Sequence, residues 1–184
     1  MKARRPFPTK TLVALSMLLA LDIVLTRLLS IQTPILRIGF AFLPIAVAGY
    51  LFGAVPAALM AAVADVLGWL LFPQGTYLPG FTLSALVTGG LYGLFLFRRP
   101  SWLRILAVSL LLTLVVDLAM NTVWLSMLYD KAVFVLLPAR LLEKSIMLVV
   151  QIPMIWAVVA LLQRSGVTDR FQPAKLPSKQ TVKD

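Results

Sequence analysis

Residues 102–128 read WLRILAVSLLLTLVVDLAMNTVWLSML. This stretch decides the fold, because it exceeds the roughly 18–20 apolar residues that a helix needs to cross a bilayer. Comparable runs recur along the chain. The 184 residues are 60% hydrophobic and only 13% charged, against about 45–50% and 25% in a soluble domain. A water-soluble core cannot absorb that excess. The expected fold is all-α and integral to the membrane, with one membrane domain.

Six spans are expected. The first runs from Lys10 to Leu29 and the second from Ile38 to Phe52, a short run that Pro44 and Gly49 should bend. Gly53 to Pro56 is read as a tight turn. The third span ends at Phe72, before the turn residues Pro73-Gln74-Gly75-Thr76. The fourth is Pro79–Phe97, the fifth Trp102–Leu128, and the sixth Val133–Leu162 with Pro138 and Pro153 inside it. The domain reading is a basic cytoplasmic N-terminus over 1–9, a membrane domain over 10–163 and a disordered polar tail over 164–184. The N-terminal run lacks a small-residue cleavage site and is read as a retained helix, not a signal peptide.

The net charge of +10 points to membrane orientation rather than to nucleic acid. Lys2, Arg4, Arg5 and Lys10 precede span one, and Arg98, Arg99 and Arg104 lie between spans four and five. Arg164, Arg170, Lys175, Lys179 and Lys183 lie in the tail. With six spans all three clusters share one side, which the positive-inside rule makes cytoplasmic.

The chain has no Cys and no His, which removes thiolate chemistry, Cys/His zinc sites and His-based triads. Gly75 and Gly80 have the spacing of a phosphate loop, but Phe81 stands where its lysine belongs and no strand precedes it. No nucleophile–base pair or carboxylate metal motif is visible. The chain is not read as an enzyme, and neither a metal nor a cofactor is expected.

The polar residues inside the spans fall in one depth band, the outer half. Asp65 lies in span three, Asp117, Asn121 and Trp124 in span five, and Arg140 and Lys144 in span six. Arg27 lies in the outer turn of span one, and Arg37 in the external loop or at the start of span two. Burying ionisable groups in a bilayer costs at least ~2.5 kcal/mol each on insertion scales, so such groups mark function by default. Asp117, Asn121 and Trp124 share a helix face at i, i+4 and i+7. Arg140, Lys144 and Gln151 make a second stripe, and Asp65, Gly68, Trp69 and Phe72 a third. Carboxylate, amide and aromatic groups on one face suit an aromatic, hydrogen-bonding ligand that carries negative charge. The loop 73–82 is expected to place Tyr77 and Phe81 over that pocket.

Ordinary explanations stand beside these. Arg27 at a helix end also fits a cation snorkelling to headgroups. Arg37 and Lys131 fit loop charges. Asp65 or Asp117 fits a structural partner for Arg140 or Lys144, and Trp69 and Trp124 fit an interfacial belt. In span one, Ala14, Ser16 and Ala20 make a small surface that admits a neighbouring helix, either of a partner or of the same bundle. Gly89, Gly90 and Gly93 fit the second use.

Several segments resemble the substrate-binding S components of energy-coupling-factor (ECF) vitamin transporters, in the folate-type group. They are Leu25-Thr-Arg-Leu-Leu-Ser-Ile-Gln-Thr-Pro34 with Arg37, Ala64-Asp65 to Leu71-Phe-Pro73, Tyr77-Leu-Pro-Gly-Phe-Thr-Leu-Ser84, Asn121-Thr-Val-Trp-Leu-Ser126 and Leu136-Leu-Pro-Ala-Arg140. The resemblance spans Thr11 to Leu162, and Asp22 departs from it. It implies a six-helix S-component fold in a prokaryotic plasma membrane, with both termini cytoplasmic and a site near the external face. It implies a transmembrane coupling subunit and two ATPase subunits as partners, with Ser16 and Ala20 at the contact and Ala14 beside them. It implies folate as the transported ligand, bound by residues among Arg27, Arg37, Asp65, Tyr77, Phe81, Asn121, Trp124, Arg140 and Lys144. The pterin edge pairs with a carboxylate or amide, its face stacks on rings, and the glutamyl carboxylates meet cations. Another vitamin or small molecule in the same class, or a non-transport membrane scaffold, are the alternatives.

Overall fold

The structure is a computed structural model that describes residues 8–32, 37–73, 76–98, 100–130 and 133–171. The expectations for Lys2, Arg4, Arg5, Gln74, Gly75, Lys131, the Arg37 side chain and the tail from residue 172 fall outside those residues. Helix α1 is Thr9–Arg27. A small antiparallel ribbon follows, β1 (Ile31–Gln32) on β2 (Arg37–Ile38), with Gln32 opposite Arg37. Helices α2 (Phe42–Phe52), α3 (Ala54–Leu71) and α4 (Pro79–Leu96) come next. Then α5 (Trp102–Leu111), a π-helical segment (Leu112–Met120) and α6 (Asn121–Tyr129) form one continuous column. Helix α7 is Val133–Arg164, and α8 is Val167–Phe171. Five of the spans are long and apolar enough to cross a membrane, and α2 is a shorter apolar helix. The six-span, all-α expectation therefore holds, with the ribbon as a two-residue exception on each strand.

Local chemistry sets the joints. Gly53 alone turns the chain between α2 and α3, at φ +87°, a conformation that costs a side chain strain. The turn expected over Gly53–Pro56 is thus one residue long, and Pro56 sits in the first turn of α3, where its missing N–H is harmless. Pro79 opens α4 after an extended Leu78, as the residue before a proline prefers. The second span starts at Phe42 and not Ile38, because Ile38 is paired in the ribbon. The expected disordered tail needs correction as well. Residues 167–171 are helical and seated on α2: Tyr50 and Thr168 share a hydroxyl hydrogen bond of 3.1 Å, and Phe171 packs edge-on against Phe52 at 5.3 Å. Tail-wide composition hides these two anchors.

Helices α3 and α4 form the most extensive helix pair. The pairing needs glycine, because a Cβ at Gly89 would run into the Ala57 backbone and one at Gly93 into Ala54. Gly49 in turn receives Tyr92, where an added Cβ would lie 2.9 Å from the Tyr92 Cβ. The half of the bundle beside Gly53 and α8 is packed solid around Tyr50, Tyr92, Leu96, Ile105, Val108 and Ile155. The other half, toward the ribbon and the ends of α3 and α6, is hollow.

Gly93→Leu is expected to lower the thermal midpoint of the detergent-purified protein sharply, since overpacking costs about 1–3 kcal/mol or more. Gly90→Ala is the matched control, because its added methyl meets only the Ala58 Cβ at 3.9 Å. Equal midpoints for the two variants would contradict the backbone-to-backbone seam.

Candidate ligand-binding site

The hollow half holds a cavity of about 640 Å³ lined by α1, α2, α3, α4, the π segment, α6 and α7. That volume falls within the ~300–1,000 Å³ typical of small-molecule sites. Its rim includes Ser30, Gly39, Thr76, Tyr77, Leu78 and Tyr129, residues flanking the three connections expected on one side of the membrane. The cavity therefore opens toward that side. Its floor is Tyr92, whose hydroxyl accepts a hydrogen bond from the Gln151 amide.

Of the residues expected at the site, Arg27, Asp65, Tyr77, Phe81, Asn121, Arg140 and Lys144 all line this one cavity. Arg27 does not snorkel outward. Its guanidinium lies across α3, where a Cβ at Gly68 would be 3.1 Å from Nε. Asp65 Oδ2 accepts the Thr82 hydroxyl at 2.7 Å. Thr82 has one proton to give, so the 2.7 Å bond between Tyr77 and Thr82 is donated by Tyr77. The Tyr77 ring packs on Trp69 at 5.1 Å, and Trp69 lines the cavity, which answers the belt alternative for that residue.

The opposite wall carries two more cations with their counter-ions. Lys144 Nζ lies 3.4 Å from Asp117 Oδ1 and 3.2 Å from Glu143 Oε1. Arg140, which is buried, donates from Nη2 to the Asp117 backbone carbonyl at 2.9 Å. The Thr122 hydroxyl reaches the same carbonyl at 3.5 Å, and the π segment takes one backbone N–H away from it. The Asn121 N–H bonds to the Val116 carbonyl five residues back instead of to Asp117. π-Helical turns of this kind are rare and gather at functional sites. The buried Asn121 Oδ1 has no hydrogen-bond partner among the described residues. A buried amide oxygen left alone is costly, and this one belongs to a cavity-lining side chain.

Trp124 stands apart. The face shared by Asp117, Asn121 and Trp124 assumes α-helical spacing, and the wider π turns break it. Asp117 and Asn121 line the cavity, whereas Trp124 does not. It packs on Gly80 and donates from Nε1 to the Ser84 hydroxyl at 3.1 Å. Arg37 is placed only by its backbone, in β2. Ser16 and Ala20 are exposed on α1, so packing within the bundle does not account for them, and Ala14 is half-buried.

Sequence reading missed Thr82, Ser84, Thr88, Tyr92 and Thr113 as lining or bracing residues, and Glu143 as the second counter-ion of Lys144. Hydroxyls are unremarkable in membrane helices because they bond their own backbone, as Thr88 does to the Ser84 carbonyl at 2.8 Å. The available signal was the Ser84, Thr88, Tyr92 stripe in steps of four. For Glu143 it was an acid three residues after Arg140.

The family described as "ECF transporter, substrate-specific component" matches residues 10–164. The folate transporter FolT of Clostridium novyi (strain NT) is 41% identical over 160 residues, covering 86% of this chain and 93% of the relative. The folate transporter FolT of Leuconostoc mesenteroides subsp. mesenteroides is 33% identical over 126 residues, covering 67% of this chain and 68% of the relative. A crystal structure of FolT bound with folic acid superposes with a TM-score of 0.76 at 35% identity, covering 80% of this chain and 90% of that one.

Lys144→Met is expected to destabilise the ligand-free protein, because it leaves two carboxylates facing each other without their cation. Breaking a fully buried pair costs about 3–5 kcal/mol. Asp117 is 30% exposed, so a loss at or below the low end is expected in thermal unfolding. Adding Asp117→Asn to Lys144→Met should recover part of it. An unchanged midpoint in the single variant would contradict the pairing.

Proposed function

The chain belongs to the substrate-specific component family of ECF transporters, and we propose that it is a folate-binding member of it. It is a membrane-embedded transporter component. In the proposed cycle, folate enters the cavity from outside the cell, with both termini cytoplasmic. A transmembrane coupling subunit and two ATPase subunits then supply the energy, the coupling subunit docking on α1 along Ser16 and Ala20, with Ala14 beside them.

The observation that carries the reading is the composition of one cavity: rings with Asp65 and Arg27 on one wall, two further cations on the other, and a buried amide oxygen with no partner among the described residues. A pterin brings N–H donors for Asn121 and the Asp65 carboxylate. Tyr77, Phe81 and Trp69 offer faces and edges for the ring system. Arg140, Lys144 and Arg27 suit glutamyl carboxylates through charge-assisted bonds. The C. novyi and L. mesenteroides relatives are named for folate, and the superposing FolT structure holds folic acid.

Calorimetry with folic acid tests this on the purified chain. Binding is expected without ATP. Arg140→Ala should weaken it by about 2–5 kcal/mol, the range for truncating one partner of a buried charged bond. Arg37→Ala should cost less if Arg37 is the loop charge its sequence position suggests, because exposed charges are screened. Asn121→Leu should also weaken binding, and Lys179→Ala should leave it unchanged. Wild-type affinity in both Arg140→Ala and Asn121→Leu would remove the ligand from this cavity. A different co-purifying small molecule would reassign the ligand within the family.

Orientation has its own test. A cysteine at Ser101 should be shielded from an impermeant reagent in intact cells, and one at Thr76 should react, since the basic clusters favour the side of Ser101 as cytoplasmic. The reverse pattern would invert the topology.

A further inference from the structure

The role left open is that of Trp124, which sits among the binding residues in sequence but behind the cavity wall in space. We infer that Trp124, Gly80 and Ser84 form a latch that holds the first turn of α4 over the cavity, and that Trp124 is a positioning residue governing how fast ligand leaves. The inference rests on the proposal that this cavity is the ligand site.

Three observations converge on it. The indole lies flat on Gly80: a Cβ built there would be 2.5 Å from Trp124 Cδ2, 2.7 Å from Cε2 and 2.9 Å from Cε3. No side chain fits between them, so the ring fixes the position of the α4 backbone itself. The indole N–H also donates to Ser84 Oγ at 3.1 Å, and Ser84 is a buried cavity-lining residue one turn further along. Finally, the turn thus gripped is the one that carries Leu78 and Phe81 into the cavity rim. Its other flank is held from α3 by the Tyr77–Thr82–Asp65 relay.

The two fastenings differ in kind. The α3 clip engages Asp65, a cavity-lining carboxylate that ligand can perturb directly. The α6 latch meets the cavity only through Ser84, whose hydroxyl takes the indole N–H, while Trp124 itself does not line it. It is made of one neutral hydrogen bond and one ring seat, weak enough to open and close. Behind the latch the chain is extended at Leu78 and lacks a backbone N–H at Pro79.

The test uses the full chain in detergent, with dissociation of radiolabelled folic acid and amide hydrogen exchange over residues 77–84 as readouts. Gly80→Ala points its methyl at the indole and away from the ligand, yet it should speed dissociation by about tenfold and raise exchange in the ligand-free protein, the scale of losing one such fastening. Trp124→Phe keeps a ring on Gly80 but loses the donor to Ser84, and should fall between wild type and Gly80→Ala, as should Ser84→Ala. The double variant Gly80→Ala/Trp124→Leu makes room for the methyl, so it should dissociate more slowly than Gly80→Ala alone. A Gly80→Ala protein with wild-type dissociation and exchange would overturn the latch. So would a double variant that is additive, which is the result expected if Trp124 touched ligand directly. A wild-type chain that fails to bind folic acid would sink the functional reading instead, and the exchange pattern would still decide the latch.

Discussion

The architecture depends on keeping Arg140 and Lys144 inside an apolar bundle. An unpaired ammonium or guanidinium there would cost several kcal/mol. Side chains and backbone both take part. Lys144 takes the carboxylates of Asp117 and Glu143, and Arg140 takes a backbone carbonyl of Asp117. In a regular α-helix that carbonyl would receive the N–H four residues on. The π segment redirects the Asn121 N–H to Val116, so the irregular backbone and the buried arginine explain each other. Non-helical hydrogen bonding at membrane depth is tolerated where it lines a cavity, and this stretch does so.

The same bundle needs a rigid counterpart to its hollow half. Glycines at 89 and 93 bring α3 and α4 to backbone contact, and Gly49 brings α2 against Tyr92. Beyond Tyr92 the interior is closed by large side chains such as Leu96, Ile105 and Ile155. Tyr92 belongs to both halves, because its ring is core and its hydroxyl takes the Gln151 amide at the cavity floor. The six helices can therefore enclose a space without collapsing into it.

The spans and the gathering of Arg27, Asp65, Asn121, Arg140 and Lys144 at one depth were legible in the sequence because charge inside an apolar run is conspicuous. So was the role of Gly89 and Gly93 in helix packing, whereas Gly90, read with them, meets only the Ala58 Cβ at 3.9 Å. What was hidden depends on backbone geometry that composition does not encode. The π turns place Trp124 off the Asp117–Asn121 line, and periodicity analysis assumes one helical period throughout. The hydroxyl stripe on α4 was hidden because Ser and Thr are as much at home bonding their own helix as facing a pocket. Short α8 was masked by the polar tail around it, since two contacts from Thr168 and Phe171 to α2 decide its place.

The charges on the α7 wall also bear on how an anionic ligand is held. Arg140 and Lys144 are matched by Asp117 and Glu143, so that wall is close to neutral by itself. A carboxylate arriving there meets cations already engaged, and must share or displace an internal partner rather than satisfy a bare charge. Pairs of this kind govern orientation and discrimination more than net affinity. In the proposed site the larger gain would come from the aromatic wall and from the Asn121 oxygen. A neutral wall also eases release, since departure of the ligand returns Lys144 to Asp117 and Glu143 and leaves no naked cation inside the membrane. In the cycle proposed for this subunit, internal counter-ions would serve both binding and release within one pocket.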